Sequence, residues 1–104
     1  MHPAPLRIGG FEFACRQGRV LISSPAGSAD PETAGFLRGT NHLLTMGLDL
    51  EGEAELDGGL VFRVEGPKAL LRLGPYSEAF ALDEIERLFK ALPSLAKLAS
   101  EPSL

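Results

Sequence analysis

The chain has 104 residues and a net charge of −4, from ten basic and fourteen acidic side chains. This length predicts a single domain that can bury a core without disulfides or metals. The negative charge, with no run of three basic residues, argues against a general nucleic-acid binder and against a peripheral anchor on anionic lipid.

The single cysteine cannot form an internal disulfide, which favours a cytoplasmic location. Residues 1–5 lack the charged and then apolar pattern of a signal peptide. No apolar run approaches the roughly 20 residues of a membrane span. A cytosolic bacterial protein is therefore the default expectation.

The N-terminal part predicts a β-hairpin after a Pro-rich, flexible tail at residues 1–8. Phe11, Phe13 and Cys15 alternate with other residues, so they should share one face of a strand. Residues 16–18 form a turn, and residues 19–23 are a β-branched run typical of a second strand.

Residues 24–29 have the composition of a loop, and a helix is predicted over residues 31–46. Asp30 would be its N-cap, with a proline at the first helical position. Gly35 and Gly39 each cost about 1 kcal/mol relative to alanine inside a helix. A break near residues 38–41 therefore stays open.

The most regular pattern is residues 48–57, where small or apolar residues alternate with carboxylates. It predicts a strand with one apolar face and one wholly acidic face. Glu51, Glu53 and Glu55 should then be exposed, and Leu50 and Leu56 buried. Two further strands follow, at residues 60–65 and 69–73, and the turn before the first of them would place Glu53 opposite Arg63.

Residues 78–82 are a candidate for one further short strand, not counted in the element order below, and they lead to the clearest helix of the sequence. Asp83 would be its N-cap, and Glu86, three residues later, completes a capping box. Ile85, Leu88 and Leu92 form part of an apolar stripe with helical spacing. Pro93 should end or kink this helix, and residues 100–104 should be a flexible tail.

The predicted order is ββαβββα, an α+β domain with about five antiparallel strands in one sheet and two helices on one face. The predicted core is a set of apolar residues that share these inner faces: Phe11, Phe13, Cys15, Leu21, Phe36, Leu44, Leu50, Leu56, Phe62, Val64, Leu71, Ile85, Leu88, Phe89 and Leu92.

The element order resembles the roadblock and longin type of small regulatory domain, which has a five-stranded sheet and often dimerises. A second pattern is internal. Residues 9–13 are similar to residues 58–62, and each segment is followed by a strand and then a helix with a phenylalanine. A duplicated ββα unit and chance both explain this similarity.

No catalytic, nucleotide or metal motif stands out, so no cofactor is expected. The candidate partner-contact surface consists of the acidic side chains and the one exposed-loop aromatic: Asp49, Glu51, Glu53, Glu55 and Tyr76. A solvated outer face explains the carboxylates best. A basic protein partner comes next, and a calcium site, which needs 6–8 oxygen ligands, comes last.

Three function classes follow. The first is a non-enzymatic interaction or regulatory module that acts as a homodimer. The second is a ligand-binding protein or enzyme that uses the 24–30 loop and His42, which a concave cluster of Ser28, Asn41, His42 and Tyr76 would favour. Separately, Cys15 and His42 are the only pairing that could act as a nucleophile and its base, although a buried core thiol explains Cys15 better. The third is a single-stranded nucleic-acid binder that stacks bases on Phe11, Phe13 and Phe62.

Overall fold

The computed structural model describes residues 4–48 and 52–100. This part of the chain is an α+β fold with two helices and two four-stranded antiparallel sheets. The first half consists of β1 Leu6–Ile8, β2 Phe11–Arg16, β3 Arg19–Ser24, β4 Gly27–Ala29 and α1 Thr33–Met46. The second half consists of β5 Glu53–Glu55, a 3₁₀ turn Asp57–Gly59, β6 Leu60–Glu65, β7 Lys68–Leu73, β8 Tyr76–Ala81 and α2 Leu82–Ser100.

The two halves are repeats of one ββββα unit. In the first repeat, β2, β3, β4 and α1 begin at residues 11, 19, 27 and 33. Their counterparts β6, β7, β8 and α2 begin at residues 60, 68, 76 and 82, each 49 residues later. Strands pair in sequence order in both sheets, so each repeat is a meander followed by its own helix. The similarity of the two Gly-Gly segments in the sequence belongs to this repeat.

The α+β class is confirmed, but the single five-stranded sheet is wrong, and the element order that resembled the roadblock and longin domains changes with it. Strands pair only within each half of the chain, and two short strands, which the sequence did not predict, complete the first sheet. β1 lies in the predicted N-terminal tail and pairs with β2. β4 lies in the predicted 24–29 loop and pairs with β3. Each has three residues, which is too short for an alternation pattern to reveal.

The pairing of β4 with β3 continues beyond Ala29. The backbone N–H of Val20 donates to the carbonyl of Pro31 at 2.9 Å, and Arg19 forms an antiparallel β-bridge with Glu32. The extended chain reaches Glu32, which is the N-cap of α1 and makes no side-chain capping hydrogen bond. The prediction of Asp30 as the N-cap is therefore wrong, because sheet pairing holds residues 30–32 in an extended conformation.

Helix α1 is continuous, and its glycines lie where the second repeat packs closely. A Cβ atom on Gly39 would lie 2.9 Å from a methyl carbon of Leu56. A Cβ atom on Gly35 would overlap the carboxylate of Asp57. The close approach of the two repeats therefore explains why this helix keeps two residues of low helix propensity.

Helix α2 begins at Leu82, one residue before the predicted N-cap, and continues through Pro93 to Ser100. Asp83 lies in the first turn, where its carboxylate is 3.3 Å from the guanidinium of Arg87. Leu92 and Leu95 on either side of the proline are both buried. Their packing holds the helix across a position at which proline removes one backbone hydrogen bond.

Most of the predicted core is buried, including Phe11, Phe13 and Phe89. Two assignments are shifted by one residue. In β3, Val20 and Ile22 are buried and Leu21 is half-buried on the outer face, because Phe13 pairs with Ile22 and Cys15 with Val20. In α1, Leu43 is buried and Leu44 is only half-buried, as is Val64 in β6. Leu50 lies outside the described residues.

Candidate functional site

The two repeats meet at the turn between β1 and β2. The backbone N–H of Gly10 donates to Glu78 Oε1 at 2.9 Å, and the hydroxyl of Tyr76 donates to the same oxygen. The ring of Tyr76 lies edge-on to that of Phe11, with centroids 5.2 Å apart. Gly9 has φ +54°, which favours glycine, and a Cβ atom there would displace the Glu78 carboxylate. We call these contacts the polar junction.

The polar junction changes the acidity of its tyrosine. The hydrogen bond to Glu78 raises the pKa of Tyr76 above its ordinary value of 10.0, and partial burial and the nearby carboxylate charge act in the same direction. A hydrogen bond with the backbone of Gly10 acts in the opposite direction. Tyr76 is half-buried, which agrees with the partial exposure predicted from the sequence.

The counterpart of this junction, 49 residues along, is apolar. A Cβ atom on Gly58 would lie 2.8 Å from Pro31 Cδ and 3.3 Å from Ala29 Cβ. Gly58 is the equivalent of Gly9, and Ala29 is the equivalent of Glu78. Each glycine turn therefore contacts the fourth strand of the other repeat. We call the contacts of Gly58 the apolar junction.

The carboxylates of the predicted strand at residues 48–57, which we call the acidic row, are only partly as predicted. Among the described residues that strand is shorter, since β5 spans Glu53–Glu55 and Asp57 begins the 3₁₀ turn. Glu53 and Glu55 are exposed on the outer face of β5, and Leu56 is buried. Glu53 pairs with Arg63 in the predicted register, although its carboxylate contacts the guanidinium of Arg72 at 3.1 Å. Asp49 and Glu51 lie outside the described residues.

The structure does not bring Tyr76 to the acidic row. Glu53 and Glu55 lie on β5, at one edge of the second sheet, and Tyr76 lies on β8, at the other edge. Tyr76 also contacts Phe11 on the inner face, whereas the two glutamates are on the outer face. The five predicted contact residues therefore do not form one surface in the part that the structure describes.

The edge strands differ in how well they are protected against pairing with another chain. β1 has three residues and an exposed arginine, Arg7, and β5 has three residues with two exposed glutamates. β4 is extended by Asp30, Pro31 and Glu32, and charges and proline both block strand addition. These three edges have the usual features that prevent edge-to-edge pairing with another sheet.

β8 has none of these features. It has six residues, and the side chains on its outer face belong to Ser77, Ala79 and Ala81. Ser77 and Ala79 are exposed, and none of the three is charged. Its one carboxylate, Glu78, lies on the inner face and accepts the hydrogen bonds of the polar junction. A long, uncharged edge strand is a site for pairing with another strand.

Cys15 lies in a groove of about 540 Å³ between the β2–β3 turn and the two helices. Burial raises the pKa of its thiol above the ordinary value of 9.0, so the reactive thiolate is disfavoured. His42 is exposed on α1 and does not line this groove. His42 is therefore not among the residues that form the groove at Cys15.

The 24–30 segment borders a depression of about 370 Å³ lined by Ser28 and Asp30, among others. Neither His42 nor Tyr76 lines it, so the clustering that a ligand site would need is not formed there. Phe11, Phe13 and Phe62 are buried in the core, at 2% exposure or less, and their faces are closed to nucleobases.

Within residues 4–48 and 52–100, no group of three or more His, Cys, Asp or Glu side chains is arranged to hold a metal ion. Neither described helix is both long and apolar enough to cross a membrane. Comparison of the chain with protein-family models, curated proteins and solved structures gave no match in any of the three.

Sequence reasoning does not single out Glu78 and Ala79. Neither residue stands in a recognisable motif, and their roles depend on which strands are edges. The internal repeat is the one sequence signal for the role of Ala79. It aligns Ala79 with Asp30, so an uncharged residue on one edge stands where a charged residue lies on the other.

Proposed function

We propose that the chain is a non-enzymatic protein-interaction module that acts as a homodimer in the cytoplasm. The observation that carries this proposal is the open edge of β8, beside three edges that charges, proline or shortness protect. A strand with free backbone groups on one side gains hydrogen bonds when a second strand pairs with it. Interaction through a sheet edge needs no catalytic group and no cofactor.

The repeat strengthens this argument, since β4 and β8 are equivalent strands in one chain. The residues Asp30, Pro31 and Glu32 stand where β8 has Ala79, Phe80 and Ala81. The same backbone position is thus protected from strand pairing in the first repeat and unprotected in the second. An edge that no other described strand covers can pair with a strand of a second molecule.

Sedimentation velocity over a range of protein concentrations tests the proposal. We expect a dimer whose proportion rises with concentration and changes little with calcium or with salt, because backbone hydrogen bonds and small side chains hold it. A monomer at every concentration would overturn the proposal. A monomer whose sedimentation changes when calcium is added would instead favour a metal-binding role for the acidic row.

The acidic row is a second contact surface for a basic protein partner in this proposal. Glu55 is exposed, and the carboxylate of Glu53 forms an ion pair with Arg72. The two alternatives have less support. A ligand-binding or enzymatic role lacks a pocket that unites the 24–30 segment with His42, and a single-strand binder lacks exposed phenylalanines among the described residues.

A further inference from the structure

The edge of β8 is suited to one partner in particular, which is the same edge of a second copy of this chain. We infer that two chains pair antiparallel through β8, and that Ala79 lies opposite its own copy across the two-fold axis. This inference rests on the proposed function and specifies the interface that the homodimer uses.

The backbone groups of Ala79 face the free side of the sheet. In the extended segment that follows β4, the carbonyl of Pro31 accepts a hydrogen bond from Val20 and so points towards β3. Phe80 is the equivalent residue of β8, 49 positions later, and by the same ladder its carbonyl points towards β7. Backbone groups alternate in direction along an antiparallel strand, so those of Ser77, Ala79 and Ala81 point away from β7.

The pairing register follows from the two faces of the strand. Residues opposite each other in a sheet lie on the same face, so the two-fold axis must lie midway between one residue and its own copy, which pair with each other. An axis at Glu78 would place two carboxylates opposite each other, which is unfavourable. An axis at Ala79 places two small side chains opposite each other.

In this register, Ser77 lies opposite the partner's Ala81 on the outer face, and Glu78 lies opposite the partner's Phe80 on the inner face. No like charges meet. The outward N–H and C=O groups of Ser77, Ala79 and Ala81 then form hydrogen bonds with the backbone of β8 in the second copy. The second sheets of two chains become one continuous eight-stranded sheet.

The equivalent edge of the first repeat cannot form the same contact. Asp30 stands at the position of Ala79, so an axis there would place two carboxylates opposite each other. This difference provides a control within the same chain, because any variant made in β8 has a counterpart in β4.

A cysteine at position 79 tests the register directly. Cα atoms of a hydrogen-bonded antiparallel pair are about 5.5 Å apart, which is within the range that a disulfide spans. In a Cys15→Ser background, we expect Ala79→Cys to form a covalent dimer under mild oxidation on non-reducing electrophoresis. The matched control, Asp30→Cys in the same background, is expected to stay monomeric on the same gel.

Proline at the same position tests the hydrogen bonds. Ala79→Pro removes an N–H that faces solvent in the monomer, so the fold should persist while the dimer weakens. We expect the dimer dissociation constant to rise about tenfold or more, since two intermolecular hydrogen bonds are lost. Ser28→Pro, on the outward side of β4, should leave the dissociation constant unchanged.

The outcomes separate this inference from the proposed function. A wild-type dimer that resists Ala79→Pro and shows no Ala79→Cys cross-link would overturn the β8 interface and leave the homodimer standing. A wild-type monomer would overturn both. If circular dichroism shows that Ala79→Pro is unfolded, the cross-linking pair decides alone.

Discussion

The polar and apolar junctions use the same backbone arrangement with different side-chain chemistry. In each, a glycine turn of one repeat meets the fourth strand of the other, and the contacts of Gly9 with Glu78 and of Gly58 with Ala29 are related by 49 positions. At the polar junction, Glu78 and Tyr76 bind the turn through hydrogen bonds. At the apolar junction, Pro31 and Ala29 pack against Gly58, and the described part of the chain shows no hydrogen bond among these three residues. Glycine and close packing are therefore common to both junctions, whereas hydrogen bonding occurs only at the polar junction among the described residues.

The largest difference between the junctions should appear at their central apolar residues. Phe11, at 1% exposure, contacts the rings of Tyr76 and Phe80, whereas its equivalent Leu60 has no aromatic contact of this kind among the described rings. We expect Phe11→Ala to lower the free energy of unfolding by about 3–5 kcal/mol, measured by urea denaturation. Leu60→Ala is the matched control, and its effect should be smaller because no aromatic pair is lost.

A further measurement isolates the aromatic contact. A double-mutant cycle of Phe11→Leu and Tyr76→Leu should give a coupling free energy of about 0.5–1.5 kcal/mol. Additive effects of these two substitutions, or a larger loss for Leu60→Ala than for Phe11→Ala, would contradict the special role of the ring contacts.

The second effect concerns the glycines of the turns. Gly58 has φ +86° and faces the rigid ring of Pro31, whereas Gly59 has φ +88° and open space within 4 Å of the position that a Cβ atom would take. We expect Gly58→Ala to destabilise the fold by about 2–3 kcal/mol and Gly59→Ala by about 1–2 kcal/mol, the cost of backbone strain alone. Thermal or urea unfolding measures both.

The polar junction responds differently to an added methyl group. A Cβ atom on Gly9 meets the end of the flexible Glu78 side chain and not a ring. Glu78→Ala should therefore recover part of the stability lost in Gly9→Ala, because it removes the overlapping carboxylate. If the two substitutions were simply additive, the overlap would not be the cause of the loss.

The smallest effect is on titration at the polar junction. Because the folded state raises the pKa of Tyr76 above 10.0, stability should be intact below about pH 10 and should fall as the pH rises through the folded-state value. The chain has one tyrosine and no tryptophan, so phenolate absorbance reports this group alone. We expect the native midpoint to exceed that of the protein in denaturant.

Glu78→Gln provides the control for this titration. It removes the carboxylate charge that opposes ionisation of Tyr76, so the pKa of Tyr76 should move back towards 10.0. A native midpoint at or below that of the unfolded chain would mean that the tyrosine does not donate to Glu78 in solution.

Local patterns predict local structure well. The alternation of Phe11, Phe13 and Cys15 identifies the correct inner face of β2, and the stripe of α2 identifies the buried face of that helix. The Glu53–Arg63 register is also correct, because a tight turn fixes it. These features depend on side-chain period and turn length, which are visible in any short window of sequence.

The features that the sequence does not reveal depend on contacts between distant segments. Asp30 has the sequence context of a helix cap, but pairing with β3 keeps the chain extended beyond it. The run 19–23 has no clear alternation, so the sequence does not show which of its residues are buried. Pairing with β2 places Val20 and Ile22 on the inner face and Leu21 on the outer face. The open edge of β8 requires knowing that no ninth strand covers it among the described residues.

The polar junction also has a consequence for the order of folding. The hydrogen bond from Gly10 to Glu78 joins residues that are 68 positions apart, whereas the hairpins on either side close loops of a few residues. Local hairpins form within about 1–10 μs, and distant contacts are slower because a long loop must close first. We expect each meander to form early and the docking of the two repeats to limit the folding rate.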